Sequence, residues 1–309
     1  TPELLCEAGV SKGVTTVHIL NSRGGEARYT KSGFSVYLEG TLVRDTDMLF
    51  VWDGESACSP ITDTSSITAS VMEQLEYSRQ IAQAPTGEVP VLFTPHGVAG
   101  VLLPPLLAGF NGKSVLQGAS PLVGKQGHRL LDPRLTIRDV PTLDMVPGSR
   151  MCDDEGVPTR ELALVVHGVI GSFLYDLQTA AQAGTESTGS AHRGLHTPPE
   201  PGANVLVVEE GDALFQDMLS DMKSGLVVER LLGAGQSNVL GGDFSANVLL
   251  GYRVENGRIT GRVKNTLVSG NVYRALSQIA GIGRESRWLG GWLRTPAIYC
   301  RGISVATKD

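Results

Sequence analysis

From Val89 to Phe110 the sequence VPVLFTPHGVAGVLLPPLLAGF carries no formal charge, and what this run can become restricts the whole fold. It is as long as the about 20 residues a bilayer-spanning helix requires. Pro90, Pro95, Pro104 and Pro105, however, remove backbone donors that a lipid-facing helix would have to satisfy internally. The run is therefore read as a buried strand, a turn and a buried helix. A chain of 309 residues with 41% hydrophobic content can enclose such a segment in one large domain or two.

Charge and cysteine usage narrow the function classes. Lys and Arg number 26 against 32 Asp and Glu, a net charge of -6, and no basic stripe emerges to neutralise phosphates, so nucleic acid is not expected as a partner. Cys6, Cys58, Cys152 and Cys300 are widely spaced, with no CxxC pair, which points to a reducing, cytoplasmic setting rather than a disulfide scaffold. The opening TPELLCEAGVSKG lacks a charged region followed by an apolar one and does not read as a signal peptide.

Four segments between Thr15 and Trp52, TTVHILNS, RGGEARYT, GFSVYLEGTLVRD and DMLFVWDGES, predict an antiparallel meander punctuated by Gly24, Gly25 and Gly40. SSITASVMEQLEYSRQIAQ has helical spacing, and APTGEVP reads as a linker, placing a boundary between residues 1–86 and 87–309. Beyond it, RLLDPRLTIRDVPTLDMVPG is expected to be strand-rich. RELALVVHGVIGSFLYDLQTAAQAG predicts a core helix, with His167 on its apolar stripe. GTESTGSAHRGLHTPPEPG is a polar loop. The last third returns to strands around a short helix, DALFQDMLSDMKSG, with Asn256-Gly257 as a two-residue hairpin turn. No repeat at solenoid spacing is present. The expected fold class is α+β, mostly antiparallel sheet with a few packed helices.

Three separated stretches, PPLLAGFNGKSVLQGASPLVGKQG, DDEGVPTRELALVVHGVIGSFLYDLQTAAQAGTESTGSAHRG and LLGAGQSNVLGGDFSANVLLGYRVENGRITGRVKNTLVSGNVYRALSQIAGIG, together resemble the TldD/TldE (PmbA) metalloprotease family, once called modulators of DNA gyrase. The resemblance runs from about VHILNSRGGEARYTKSG to the end. It implies that residues 1–86 are the remainder of an N-terminal α/β domain, shortened or missing at its start. Residues 87–309 would be the β-rich, barrel-like C-terminal domain.

In the family's catalytic subunit an HExxxH zinc motif follows an apolar run. By position Pro104 and Pro105 stand at its first His and its Glu, and Gly109 at its second His. None of the three has a donor atom for zinc. The resemblance therefore implies a TldE/PmbA-like, noncatalytic subunit with no cofactor of its own, zinc being expected in a TldD-like partner. The catalytic subunit also supplies a late cysteine ligand, so Cys300 was weighed against a plain buried thiol, which its strand-like surroundings favour. The family's fold places the glycine-rich segment near the substrate cavity, making Asn238, Asp243 and Ser245 candidate cavity residues.

Other constellations have plainer readings beside the functional one. His192 and His196 have ligand-like spacing, but Gly194 and the following TPPEP place them on a loop, which favours two solvent-exposed histidines over a metal site and leaves contact with a peptide or partner subunit as a further reading. Cys152 to Glu155 forms an acidic turn that suits either a cation or a helix start. GAGQSNVLGGDFS lacks the Lys-Ser/Thr of a phosphate loop, and no GxSxG elbow is present.

The sequence therefore leads to a peptidase-complex subunit acting on unfolded or extended peptides, as a heterodimer with a TldD-like chain or as a homodimer, with no membrane association. A stand-alone hydrolase with an unrecognised site and a non-proteolytic, self-associating binding protein are the alternatives.

Overall fold

The computed structural model describes residues 3–22, 24–45 and 47–307. Three long antiparallel strands open the chain: β1 (Leu4–Leu20), β2 (Glu26–Arg44) and β3 (Asp47–Ala57), ordered β1-β2-β3. The meander has three strands rather than the four segments of the sequence reading. β2 runs unbroken through Gly33 and Gly40. Gly40 is there for space, not for a turn: a Cβ at this position would lie 2.9 Å from Val51 Cγ2. Helix α1 (Ser65–Tyr77) follows as predicted, burying Ile67, Val71 and Gln74.

The uncharged run becomes strand β4 (Gly87–Phe93) and a helical stretch made of α2 (Pro95–Gly97), a π turn (Val98–Leu102) and α3 (Leu103–Phe110). Thr94 caps the start by accepting from the Gly97 N–H. The π turn has a local cause. Pro104 and Pro105 have no N–H to offer the carbonyls of Gly100 and Val101, and a proline ring crowds the carbonyl four residues back, so the turn before them widens. No helix among the described residues is long and apolar enough to cross a membrane.

After α4 (Gly112–Leu116) come β5 (Ile137–Asp139), β6 (Leu162–Val166), β7 (Val169–Ile170), α5 (Leu177–Ala183), β8 (Ala191–His192), β9 (Glu200–Pro201), β10 (Leu206–Val208) and α6 (Phe215–Ser220). The expected core helix over RELALVVHGVIGSFLYDLQTAAQAG is instead the hairpin β6–β7 followed by α5. His167 and Gly168, at φ 48° and 75°, make its two-residue turn. The apolar stripe that looked helical belongs to a strand buried on both faces, where apolar residues run consecutively. His167 is exposed at the turn rather than packed on a helix. The expected strands of RLLDPRLTIRDVPTLDMVPG reduce to β5, since Pro133, Pro141 and Pro147 interrupt the ladder.

The last third supplies β11 (Ser224–Leu232), β12 (Asp243–Glu255), β13 (Arg258–Arg262), β14 (Thr266–Asn271), α7 (Val272–Ser277), β15 (Ile279–Leu289) and β16 (Leu293–Thr307). Pairings β4–β11, β11–β12, β12–β14, β14–β16 and β16–β4 close a circuit, a five-stranded barrel extended by β10-β5-β6-β7. The fold is α+β, with mostly antiparallel sheet.

Alternation sorts the barrel residues into two cores. Val91 and Phe93 of β4, Val228 of β11, Phe244 of β12 and Cys300 of β16 pack with Val101, Leu102, Leu106 and Phe110 of the helical stretch. Their neighbours Leu92, Val227, Tyr252 and Tyr299 face outward against Leu49 and Val51 of β3, Val71 of α1 and Met218 of α6. Each fully buried Val, Leu or Phe contributes about 1.5–3 kcal/mol, so the meander is held on by the barrel's outer face.

Asn256 and Gly257 form the β12–β13 turn with φ of 49° and 77°. Replacing Gly257 with Val places a β-branched side chain in the left-handed region, with its Cβ 2.9 Å from Ser220 Cα. Calorimetry is expected to show a melting temperature several degrees below the parent; an unchanged value would count against this turn.

Candidate functional site

The helical stretch carries chemistry at both ends. At its start, His96 faces a buried charge cluster. Asp53 of β3 is fully buried and accepts from Arg287 Nη1 at 2.7 Å and from the Gly54 N–H at 2.8 Å. Burial alone would raise its pKa, but the neighbouring His96 and Ser70 and the hydrogen-bonded charge of Arg287 outweigh that and hold the carboxyl well below the usual carboxylate range. His96 Nε2 stands 3.6 Å from Asp53 Oδ1, and its Nδ1 lies 3.1 Å from Arg230 Nη1. A guanidinium can only donate, so Nδ1 accepts and the ring proton belongs on Nε2, toward Asp53. Arg230 also donates to the Trp52 carbonyl at 2.8 Å and lies 3.6 Å over the Trp52 ring. Burial pulls its pKa down to about 10.

At the far end of the stretch, Pro104 is exposed, whereas Pro105 and Gly109 are buried. A Cβ on Gly109 would stand 2.1 Å from the Tyr273 hydroxyl oxygen, and one on Gly242 would stand 2.5 Å from the Tyr273 ring. Tyr273 is thus clamped between two glycines. Its hydroxyl is buried without a partner, and burial pushes its pKa up to about 12.

Two of the candidate cavity residues build the wall behind this ring. Asn238 caps the 3₁₀ turn Val239–Gly241 by accepting from the Gly241 N–H at 3.2 Å. Asp243 accepts from Asn271 Nδ2 at 2.8 Å, and Asn271 in turn caps α7 just before Tyr273. Ser245, two residues along β12, pairs with Ser269 of β14. Asn271 and Tyr273 were missed in the sequence. An Asn ahead of VYRALS is a helix-start signal that was there to be read.

The two loop histidines are not brought together. His196 is exposed, whereas His192 is mostly buried on β8, a correction to its reading as an exposed loop residue. Its Nδ1 faces Arg150 Nη1 at 3.3 Å. Burial, and then the Arg150 charge, lower its pKa. The acidic turn is structural. Asp153 accepts N–H groups from Glu155, Val157 and Ala191 at 2.9–3.0 Å, and Asp154 pairs with Arg150 and accepts from the Arg193 N–H. Cys300 is fully buried in β16, and burial pushes its thiol up to about 12, which suits a small core residue better than a thiolate ligand.

A family model for the PmbA/TldA metallopeptidase C-terminal domain matches residues 86–307. The chain belongs to the TldD/PmbA metallopeptidase family. A Methanothermobacter thermautotrophicus metalloprotease is 27% identical over 277 residues, 87% of this chain and 60% of that protein. Metalloprotease PmbA of Escherichia coli O157:H7 is 32% identical over 200 residues, 65% of this chain and 42% of PmbA. The crystal structure of TldE from Thermococcus kodakarensis superposes with a TM-score of 0.87 at 26% identity, covering 99% of this chain and 70% of that one. The chain therefore spans 60% and 42% of the length of those two metalloproteases.

A zinc ion of the kind the family implies needs imidazole, thiolate or carboxylate donors. Pro104, Pro105 and Gly109 offer none, and the direction a side chain would take from position 109 is filled by the Tyr273 hydroxyl. Among the described residues there is no group of three or more His, Cys, Asp or Glu that could hold a metal ion. The residues present do not fit the group.

This packing makes a testable pair. Gly109→Ala is expected to destabilise the chain by a few kcal/mol, about the cost of overpacking a filled core. Tyr273→Phe removes a buried, unpartnered hydroxyl and is expected to cost little. In the Tyr273→Phe background most of the Gly109→Ala cost should disappear; additive denaturation free energies would show that the ring and residue 109 do not meet.

Proposed function

We propose that this chain is a TldE/PmbA-like, noncatalytic subunit of a TldD/TldE-type peptidase complex, acting with a TldD-like partner on unfolded or extended peptides. The observation that carries the reading is the combination at α3. The three positions that the family resemblance sets at the HExxxH motif have no donor atoms, while Asn238, Asp243, Asn271 and Tyr273 form a hydrogen-bonded wall around them. A scaffold kept in order around donor-less positions suits a partner better than an independent hydrolase. The likeness to TldE of Thermococcus kodakarensis supports the same assignment. Strand-rich surfaces suit extended peptides, whose backbones pair with strand edges independently of sequence. Four cysteines without disulfides accord with a reducing cytoplasm.

The test mixes the purified chain with the HExxxH-bearing subunit of the same organism. Alone, this chain should leave casein intact. Mixed, the two should co-elute through an interface of at least the about 1,200 Å² typical of stable complexes, with chelator-sensitive cleavage. Metal-dependent cleavage by this chain alone would contradict the proposal, and so would failure of the pair to co-elute.

A further inference from the structure

A cavity of about 430 Å³ opens between α1, α6 and the outer face of the barrel, away from α3. That volume lies within the range of small-molecule sites. Its floor contains Glu229, the residue of β11 left out of the ladder by the register shift between Val228 and Arg230. The bulge lets Glu229 and Arg230 both face the meander side, a re-aiming that β-bulges commonly provide. Arg230 is committed to Trp52 and His96. Glu229 is half-buried and has no hydrogen bond or ion pair among the described residues.

The walls fit a particular kind of occupant. Tyr252, 2% exposed, lines the cavity, and its hydroxyl, beside that of Ser78, has no partner in hydrogen-bonding geometry. Tyr77 meets Tyr252 edge-on with ring centroids 5.3 Å apart, and Glu73 accepts from the Tyr77 hydroxyl at the mouth. The cavity's two arginines are offset by carboxylates: Arg287 by Asp53 at 2.7 Å, and Arg284 by Glu285 at 3.9 Å. What remains is the Glu229 carboxylate, which has no ion-pair or hydrogen-bond partner although the Arg230 charge acts on it, and aromatic rings.

We propose that this cavity binds an organic cation with N–H donors on a short alkyl stem, a primary ammonium or guanidinium, held by Glu229 and flanked by Tyr77 and Tyr252. A group with only donors satisfies the Glu229 carboxylate oxygens, and the tyrosine rings add cation–π attraction. The same chemistry occurs in free diamines and in the basic side chains of peptides.

Isothermal titration calorimetry of the whole chain separates these sources. The probes are agmatine, acetyl-Gly-Arg-Gly-amide and its norleucine counterpart. At least one cationic probe should bind saturably and lose affinity with added salt, and the norleucine peptide should not bind. Tighter binding of agmatine assigns the site to free amines, and tighter binding of the peptide assigns it to basic side chains. Glu229→Gln should weaken binding by about tenfold or more, as loss of a charge-assisted hydrogen bond does. Without a probe this variant should melt no lower than the parent, since it removes a half-buried unpaired charge. Tyr77→Leu should weaken binding severalfold. No binding by either cationic probe, or binding indifferent to Glu229→Gln, overturns the proposal. The assay needs no second subunit, so its outcome is separate from that of the peptidase-complex test.

Discussion

The buried carboxylate of Asp53 is the point on which the meander and the barrel depend. It sits on β3, receives Arg287 from β15, accepts the N–H of Gly54 and faces His96 at the start of the helical stretch. A carboxylate taken wholly out of water is tolerated only when its oxygens are met by donors, and here the donors come from elements far apart in sequence. Arg230, stacked on Trp52 and donating to its carbonyl, closes the same junction from β11. The apolar contacts of Leu49 and Val51 with Leu92 and Val227 hold the two parts together; the charge cluster fixes how they meet.

The helical stretch transmits that placement to the candidate site. His96 anchors one end at the Asp53 junction, and Gly109 at the other end packs beneath the Tyr273 hydroxyl. Between them Pro104 and Pro105 force the π turn and so set the path of the backbone. The barrel strands on either side keep both faces apolar because one covers this stretch and the other covers the meander.

Much of the barrel was legible in sequence. The strand-turn-helix reading of Val89 to Phe110 and the Asn256-Gly257 turn rest on backbone chemistry that is local: missing donors at proline, and positive φ at Asn-Gly. The family resemblance was carried by separated stretches that lie within the family-model match over residues 86–307. RELALVVHGVIG failed for a physical reason, since a strand buried on both faces and a buried helix present the same apolar density, and only the His167-Gly168 turn distinguishes them. The Asp53 cluster and the clamped Tyr273 were invisible because their partners lie far apart in sequence: 234 residues separate Asp53 from Arg287. A bulge such as that at Glu229 depends on a register that one strand's sequence does not carry.

The central functional claim is that the framework around α3 persists without metal chemistry of its own. Its most direct test is the zinc content of the purified chain, equilibrated with zinc, dialysed and analysed by inductively coupled plasma mass spectrometry. Donor-less side chains at positions 104, 105 and 109 predict retention far below one zinc per chain. One zinc retained per chain would contradict it.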